Sequence, residues 1–122
     1  MSDAADEVQW ARLTAAEIQA RSTPATIVLV PVASVEQHGP HLATGTDLWL
    51  ASAVAERTAR RLQAQGVPAL VTPCVWTGLA EHHMAFGGTF TLDEATFAAV
   101  VGGVVASVAR HGFRRIGLVN GH

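Results

Sequence analysis

Cysteine occurs once in this chain, at Cys74, and lysine does not occur at all. A single cysteine excludes an intrachain disulfide and makes a reducing compartment the natural setting. Arginine supplies all the positive charge, and no basic run interleaved with aromatics is present, which excludes the usual footprint of a nucleic-acid binder. Neither a Gly-x-Gly-x-x-Gly turn nor a phosphate-loop lysine occurs, so nucleotide binding has no support. No apolar run approaches the roughly 20 residues that a membrane helix requires. The opening Met1-Ser-Asp-Ala-Ala-Asp-Glu7 is acidic and lacks the basic-then-apolar pattern of a signal peptide. The expectation is a soluble, cytoplasmic protein with no membrane or nucleic-acid partner.

What is present reads as a globular domain. Of 122 residues 49% are apolar and 15% charged, with a net charge of -2, enough for one sizeable core and too apolar for disorder. Residues 1–9 are expected to be a flexible acidic tail. Thr14 and Glu17 have capping-box spacing, so a short helix begins there and is over by Pro24. Thr26-Ile-Val-Leu-Val-Pro-Val-Ala33 is an unbroken apolar, largely β-branched run, the pattern of a strand covered on both faces. From Asp47, residues Leu48, Leu50, Ala51, Val54, Ala55, Thr58 and Leu62 recur at helical spacing, and Gly66 closes that helix. Ala69–Thr72 forms a second short strand, followed by a long connection from Pro73 to Gly88.

Thr91 and Glu94 repeat the capping-box spacing and open a helix through Phe97, Val100, Val101, Val104, Val105 and Val108 that ends near His111-Gly112. The pair Gly102-Gly103 inside it weakens a helix and predicts close packing on the sheet. Arg115–Val119 is a third strand. Alternating helices and short apolar strands predict an α/β fold, a three-layer α/β/α arrangement on a parallel sheet. Three strands with one at the very end predict that the chain is the N-terminal portion of a single larger domain.

Chemistry concentrates in Ser34–Asp47. Glu36 and His38, two residues apart just past the first strand, project to one side if the chain is still extended there. Gly39-Pro40 turns the chain and brings back His41 and the Thr44–Asp47 segment. Asp47 falls at the start of a helix, where a carboxylate either caps amide groups or faces a site. A second polar cluster, Glu81-His82-His83, follows the second strand, and His122 follows the third. Sites in open parallel α/β sheets lie at the carboxyl ends of strands, and all three clusters converge there. Mixed carboxylate and imidazole donors suit Zn²⁺ or Mn²⁺ rather than Ca²⁺ or an iron–sulfur cluster. Cys74 reads as a small hydrophobe rather than a nucleophile, and Ser34 lacks the glycines of a nucleophile elbow.

Three segments carry a family resemblance: Val32-Ala-Ser-Val-Glu36-Gln-His38-Gly-Pro-His41-Leu with Thr46-Asp47; Glu81-His82-His83-Met-Ala-Phe-Gly-Gly88-Thr89; and Val119-Asn-Gly-His122. In these the chain resembles the creatininase (creatinine amidohydrolase) family, which includes a mycofactocin-maturation peptidase and other amide hydrolases. The resemblance implies a metal-dependent amidohydrolase with two divalent metal ions, Zn²⁺ and/or Mn²⁺, acting on a small-molecule amide, cyclic or linear. It implies that Glu36 and His122 bind one metal, His38 the other, and Asp47 bridges them. His41, Glu81 and His82 are left to supporting or substrate-contacting roles, with the metal or a loop donor such as His82 expected to polarise the amide carbonyl, and the resemblance implies a homo-oligomer, hexameric in the family. In creatininase itself a glutamate two residues after the last histidine completes the second metal's shell, so a chain ending at His122 is expected to be inactive by itself. Ala43 and Gly87 stand where the family usually has proline. Two rivals remain open at this stage: a non-catalytic or degenerate metal-binding subunit with the same fold, and a phosphoesterase, which the lack of Lys or Arg in these loops disfavours.

Overall fold

The computed structural model describes residues 5–122. Helix α1 (Ala15–Ala20) starts on the expected capping box: the Thr14 hydroxyl accepts from Glu17 N–H, and the Glu17 carboxylate accepts from Thr14 N–H. Strand β1 (Ile27–Val32), helix α2 (Thr46–Ala64), strand β2 (Ala69–Val71), helix α3 (Glu94–Arg110) and strand β3 (Arg115–Asn120) follow in the predicted order. The sheet is parallel throughout, in the order β2-β1-β3. Ile27 is opposite both Ala69 and Arg115, so the carboxyl ends of β1 and β3 are level, with Val32 beside Asn120.

β1 is buried from Val28 to Val32 because each face carries a helix. Leu29 points to α2, where it meets Ala55 and Ala59 together with Ala69, Val71 and Val8. The alternate residues face the other way. Val28 packs with Leu70, Val108 and Phe113, and Val30 and Val32 pack with Val75, Phe97, Val101 and Val104. With α2 on one face and α3 on the other, the two crossovers have the arrangement that right-handed connections require. This is the predicted three-layer α/β/α fold. No helix among the described residues is long and apolar enough to cross a membrane.

Four expectations need correction. Residues 1–4 of the expected tail lie outside the described residues, but its remainder is not free. Val8 is fully buried in the α2 face, its carbonyl accepts from Val71 N–H, and Gln9 bridges Val71, so the chain joins the sheet edge before α1. The cap of α3 is not Thr91 but Asp93, whose carboxylate accepts from Thr96 N–H at 2.7 Å. Thr91 instead takes a hydrogen bond from Ala80 N–H and fastens the long connection. Gly102 and Gly103 do not pack on the sheet: a Cβ at either would meet nothing within 4 Å, because Phe97, Val101, Val104 and Val108 supply the buried side of α3. On α2 the buried stripe is Ala51, Ala55 and Ala59, which lets the helix lie close to the strands and leaves the larger Leu50 and Val54 exposed at its flank.

Candidate metal centre

The site is built where three chain segments meet at the carboxyl end of the sheet. The loop after β1 is tied down at both sides. Glu36 N–H donates to Thr44 carbonyl, Gln37 N–H donates to the Thr89 hydroxyl, and Phe90 N–H donates to Val35 carbonyl. Gly78 lets the long connection lie on this loop, since a Cβ there would sit 2.9 Å from Ala33 carbonyl. The end of β3 comes in from the other side. Gly121 N–H donates to Val32 carbonyl, and a Cβ at Gly121 would lie 2.6 Å from Ala51 Cβ and 3.0 Å from Asp47 carbonyl. Only a glycine brings the strand end this close to the first turns of α2, and that approach delivers His122 to the carboxylates.

Asp47 is the second residue of α2, not its cap; the cap position is Gly45, which offers no side chain. The carboxylate therefore enjoys the positive end of the helix dipole while remaining free to face other groups. It faces His38, whose Nε2 lies 3.1 Å from Asp47 Oδ1, and His122, whose Nδ1 lies 3.6 Å from Asp47 Oδ2. Glu36, only 2% exposed, accepts from His122 Nδ1 at 2.9 Å on Oε1. Its other oxygen, Oε2, is 3.7 Å from His83 Nε2. Glu36, His38 and Asp47 thus present three donor atoms within 4.8 Å of one another.

Proton positions decide what this cluster can do. His38 Nδ1 lies 3.0 Å from the Glu36 carbonyl, which can only accept, so Nδ1 carries the hydrogen. In the neutral ring, Nε2 then offers a lone pair directly toward a carboxylate oxygen. Two acceptors facing each other at 3.1 Å call for a cation between them, either a proton or a metal. A backbone carbonyl fixing Nδ1–H of a metal-ligating histidine is the usual supporting arrangement. Glu36 Oε2 and Asp47 Oδ2 are buried without a hydrogen-bond partner, which is costly for carboxylates unless something positive is supplied. The donor set, one imidazole and two carboxylates with a second imidazole at the rim, fits a divalent ion of the Zn²⁺ or Mn²⁺ type.

The same contacts shift the titration of three of these groups. The Glu36 carbonyl beside Nδ1, reinforced by Asp47, holds the His38 imidazole above its ordinary range. The bond to Glu36 does the same for His122. Burial pushes the Glu36 carboxyl up, but the hydrogen bond from His122 and the nearness of His122 and His83 outweigh it, leaving it below the usual range.

The four residues expected as ligands, Glu36, His38, Asp47 and His122, are therefore brought together. His82 and His83 join them through Glu36, as a group with donor atoms within 4.8 Å. His41 is exposed beside Gly39, and Glu81 is exposed in a short 3-10 turn (Glu81–His83); among the described residues no hydrogen bond or ion pair joins either to the cluster. Two functional groups escaped sequence reasoning. In the sequence His83 stands only within the polar cluster Glu81-His82-His83, without a role of its own, and Gln37 only within the loop motif. The available signal was their position: one lies between two ligand candidates and the other beside His82.

Known proteins share this sequence and this fold. Residues 11–122 match the Creatininase family, described as creatinine amidohydrolase. Creatinine amidohydrolase of Pseudomonas putida is 38% identical over 116 residues, which cover 90% of this chain and 43% of that protein. A mycofactocin precursor peptide peptidase of Mycobacterium tuberculosis is 35% identical over 114 residues, covering 89% and 45%. A 3-dehydro-scyllo-inosose hydrolase of Thermotoga maritima is 30% identical over 116 residues, covering 94% and 36%. Among solved structures, one of creatinine amidohydrolase (creatininase) aligns with a TM-score of 0.86 at 36% identity, over 94% of this chain and 45% of that one. A manganese form of creatininase aligns with a TM-score of 0.87 at 35% identity, over 95% and 46%. The chain spans less than half the length of the relatives it matches. It belongs to the creatininase (creatinine amidohydrolase) family.

Proposed function

We propose that this chain forms the metal-binding part of an amidohydrolase that cleaves a C–N amide bond of a small cyclic or linear substrate. The observation that carries the reading is His38 Nε2, turned by the Glu36 carbonyl so that its lone pair faces Asp47, beside two buried carboxylate oxygens without partners. Glu36 and His122 would hold one divalent ion and His38 a second, with Asp47 able to serve both. Zn²⁺ or Mn²⁺, when bound, supplies Lewis acidity and makes a coordinated water acidic enough to lose its proton near neutral pH.

The rest is done by the protein's own groups. Asp47 is held in the first turn of α2, so its carboxylate is fixed in place facing His38 and His122. Burial of Glu36 beneath the loop keeps competing water from its carboxylate. His82 is exposed beside His83, where a substrate carbonyl can accept its N–H; the exposed His41 and Glu81 are candidate substrate contacts. The complete protein is expected to act in the cytoplasm as a homo-oligomer.

Equilibrium dialysis against Zn²⁺ or Mn²⁺, followed by metal analysis, tests the metal centre on this chain. Creatinine hydrolysis by a version extended to the relatives' length tests the reaction. Retained metal in the first and amide cleavage in the second are expected. Failure of the chain to retain either ion under conditions where it is folded would overturn the reading.

A further inference from the structure

The cluster contains a second histidine whose proton lies on the opposite nitrogen from that of His38. Gly39 N–H donates to Gln37 Oε1 at 3.0 Å, which settles which end of the Gln37 amide is oxygen. The amide nitrogen, a donor only, is then the atom 2.9 Å from His83 Nδ1. Nδ1 must accept, so the neutral His83 ring carries its hydrogen on Nε2. That N–H lies 3.7 Å from Glu36 Oε2, the buried oxygen without a partner. The ring is held in place from the other side by His82, whose centroid is 4.1 Å away.

We propose that His83 is a positioning residue for Glu36: Gln37 locks it as the Nε2–H tautomer, and that N–H holds Glu36 Oε2 so that Oε1 is the oxygen turned to the His122 and Asp47 side. The distance is longer than a full hydrogen bond and closes to one with a shift of about half an ångström. The same proton removes a competing reading. Glu36, His82 and His83 have donor atoms as close together as a cation site needs, but His83 offers that space an N–H rather than a lone pair, so it is not a ligand. One imidazole of the pair, His38, is prepared to bind a metal, and the other to orient the carboxylate that does. Partners of this kind typically change metal affinity 10–100-fold when removed.

The tautomer is independent of the metal reading, while the effect on affinity rests on it, and one set of measurements separates the two. Long-range proton–nitrogen correlation of the ¹⁵N-labelled chain should show His83 protonated at Nε2, both metal-free and after addition of ¹¹³Cd²⁺. Gln37→Glu replaces the donor to Nδ1 by an acceptor and should move the proton to Nδ1. His83→Gln keeps an N–H at nearly the same place and should hold Zn²⁺ within about threefold of the parent, while His83→Leu should lose about 10–100-fold. A lone pair on His83 Nε2 in the parent chain, a ¹¹³Cd–¹⁵N coupling to that nitrogen, or equal Zn²⁺ binding by the Leu and Gln variants would overturn the proposal. If no variant and no parent binds metal, the function reading fails, and the His83 proton position in the parent and in Gln37→Glu still decides the orientation.

Discussion

Replacing Glu36 by glutamine separates what this residue does for folding from what it does for a metal. Glutamine keeps the volume and an oxygen that can accept from His122 Nδ1, now 2.9 Å from Oε1, but loses the charge. In chelator the loss should be small. The Glu36 carboxyl sits below its ordinary range, so its charge contributes to the metal-free fold, yet its principal partner, His122, is 68% exposed at the side chain and solvent screens the pair. A cost of about 1 kcal/mol or less is expected. With metal the arithmetic changes. A ligand that binds only the folded chain adds about 2.7 kcal/mol when present at 100 times its Kd. Parent chain and Glu36→Gln should be compared by urea denaturation in chelator and in excess Zn²⁺ or Mn²⁺. The parent should gain roughly that amount, and the variant should gain essentially nothing at the same metal concentration. An equal metal-induced gain in the variant would refute the placement of Glu36 as a ligand. A cost of several kcal/mol in chelator would show that the carboxylate is there for the fold.

Further outcomes follow from single positions. Gly121→Ala should cost about 1–3 kcal/mol by overpacking and should weaken metal-induced stabilisation as well, because relief of the clash with Ala51 moves His122 away from Glu36. Gly102→Ala should do the reverse, adding about 1 kcal/mol of stability and raising the urea midpoint, since its Cβ meets nothing and alanine is the better helix residue. Glu56, held below its ordinary value of 4.5 by the Arg60 hydrogen bond and then Gln9, contributes stability that is present above that value and lost as pH falls through its lowered folded value. Glu56→Gln should therefore cost about 0.3–0.5 kcal/mol near pH 7 and nothing in strong acid, and a cost that persists in acid would refute the ion pair. Cys74 is half-buried and burial pushes its thiol up, so thiol reagent should label the native chain far more slowly than the urea-unfolded chain.

The order of elements was legible because each rests on a local signal that the tertiary structure does not override. The capping box of α1 closes within four residues, and the apolar run of β1 is what a strand between two helix layers requires. The misreadings share a different cause: local signals with two solutions. Thr91 and Glu94 have capping spacing, but Asp93 is also a capping residue, and the hydroxyl of Thr91 is drawn to Ala80 N–H on the long connection. Gly102-Gly103 signals a close approach of backbones, and nothing in its local sequence says that the approach is absent from the sheet side. Acidic residues before α1 look solvated until Val8 is seen to fill the space left by the alanines of α2.

The site was legible to a different depth. Residue type and place at strand ends marked three polar clusters, because a parallel sheet with level carboxyl ends gathers whatever follows β1 and β3, and the family resemblance picked Glu36, His38, Asp47 and His122 out of them. Residue type could not distinguish the histidines from one another. His38, His83 and His122 have the same letter and lie within one cluster, yet their ring nitrogens meet a carbonyl, an amide nitrogen and a carboxylate respectively. Those partners place the proton on Nδ1 of His38 and on Nε2 of His83, and in the proposed assignment that difference separates a ligand from a group that orients one. The partners come from different distances: from within the same loop for His38, and from 46 and 86 residues away for His83 and His122. The fold brings the donor atoms together, but the chemistry of the centre is set by which nitrogen each histidine has left free, and that is decided by contacts no spacing in the chain reveals.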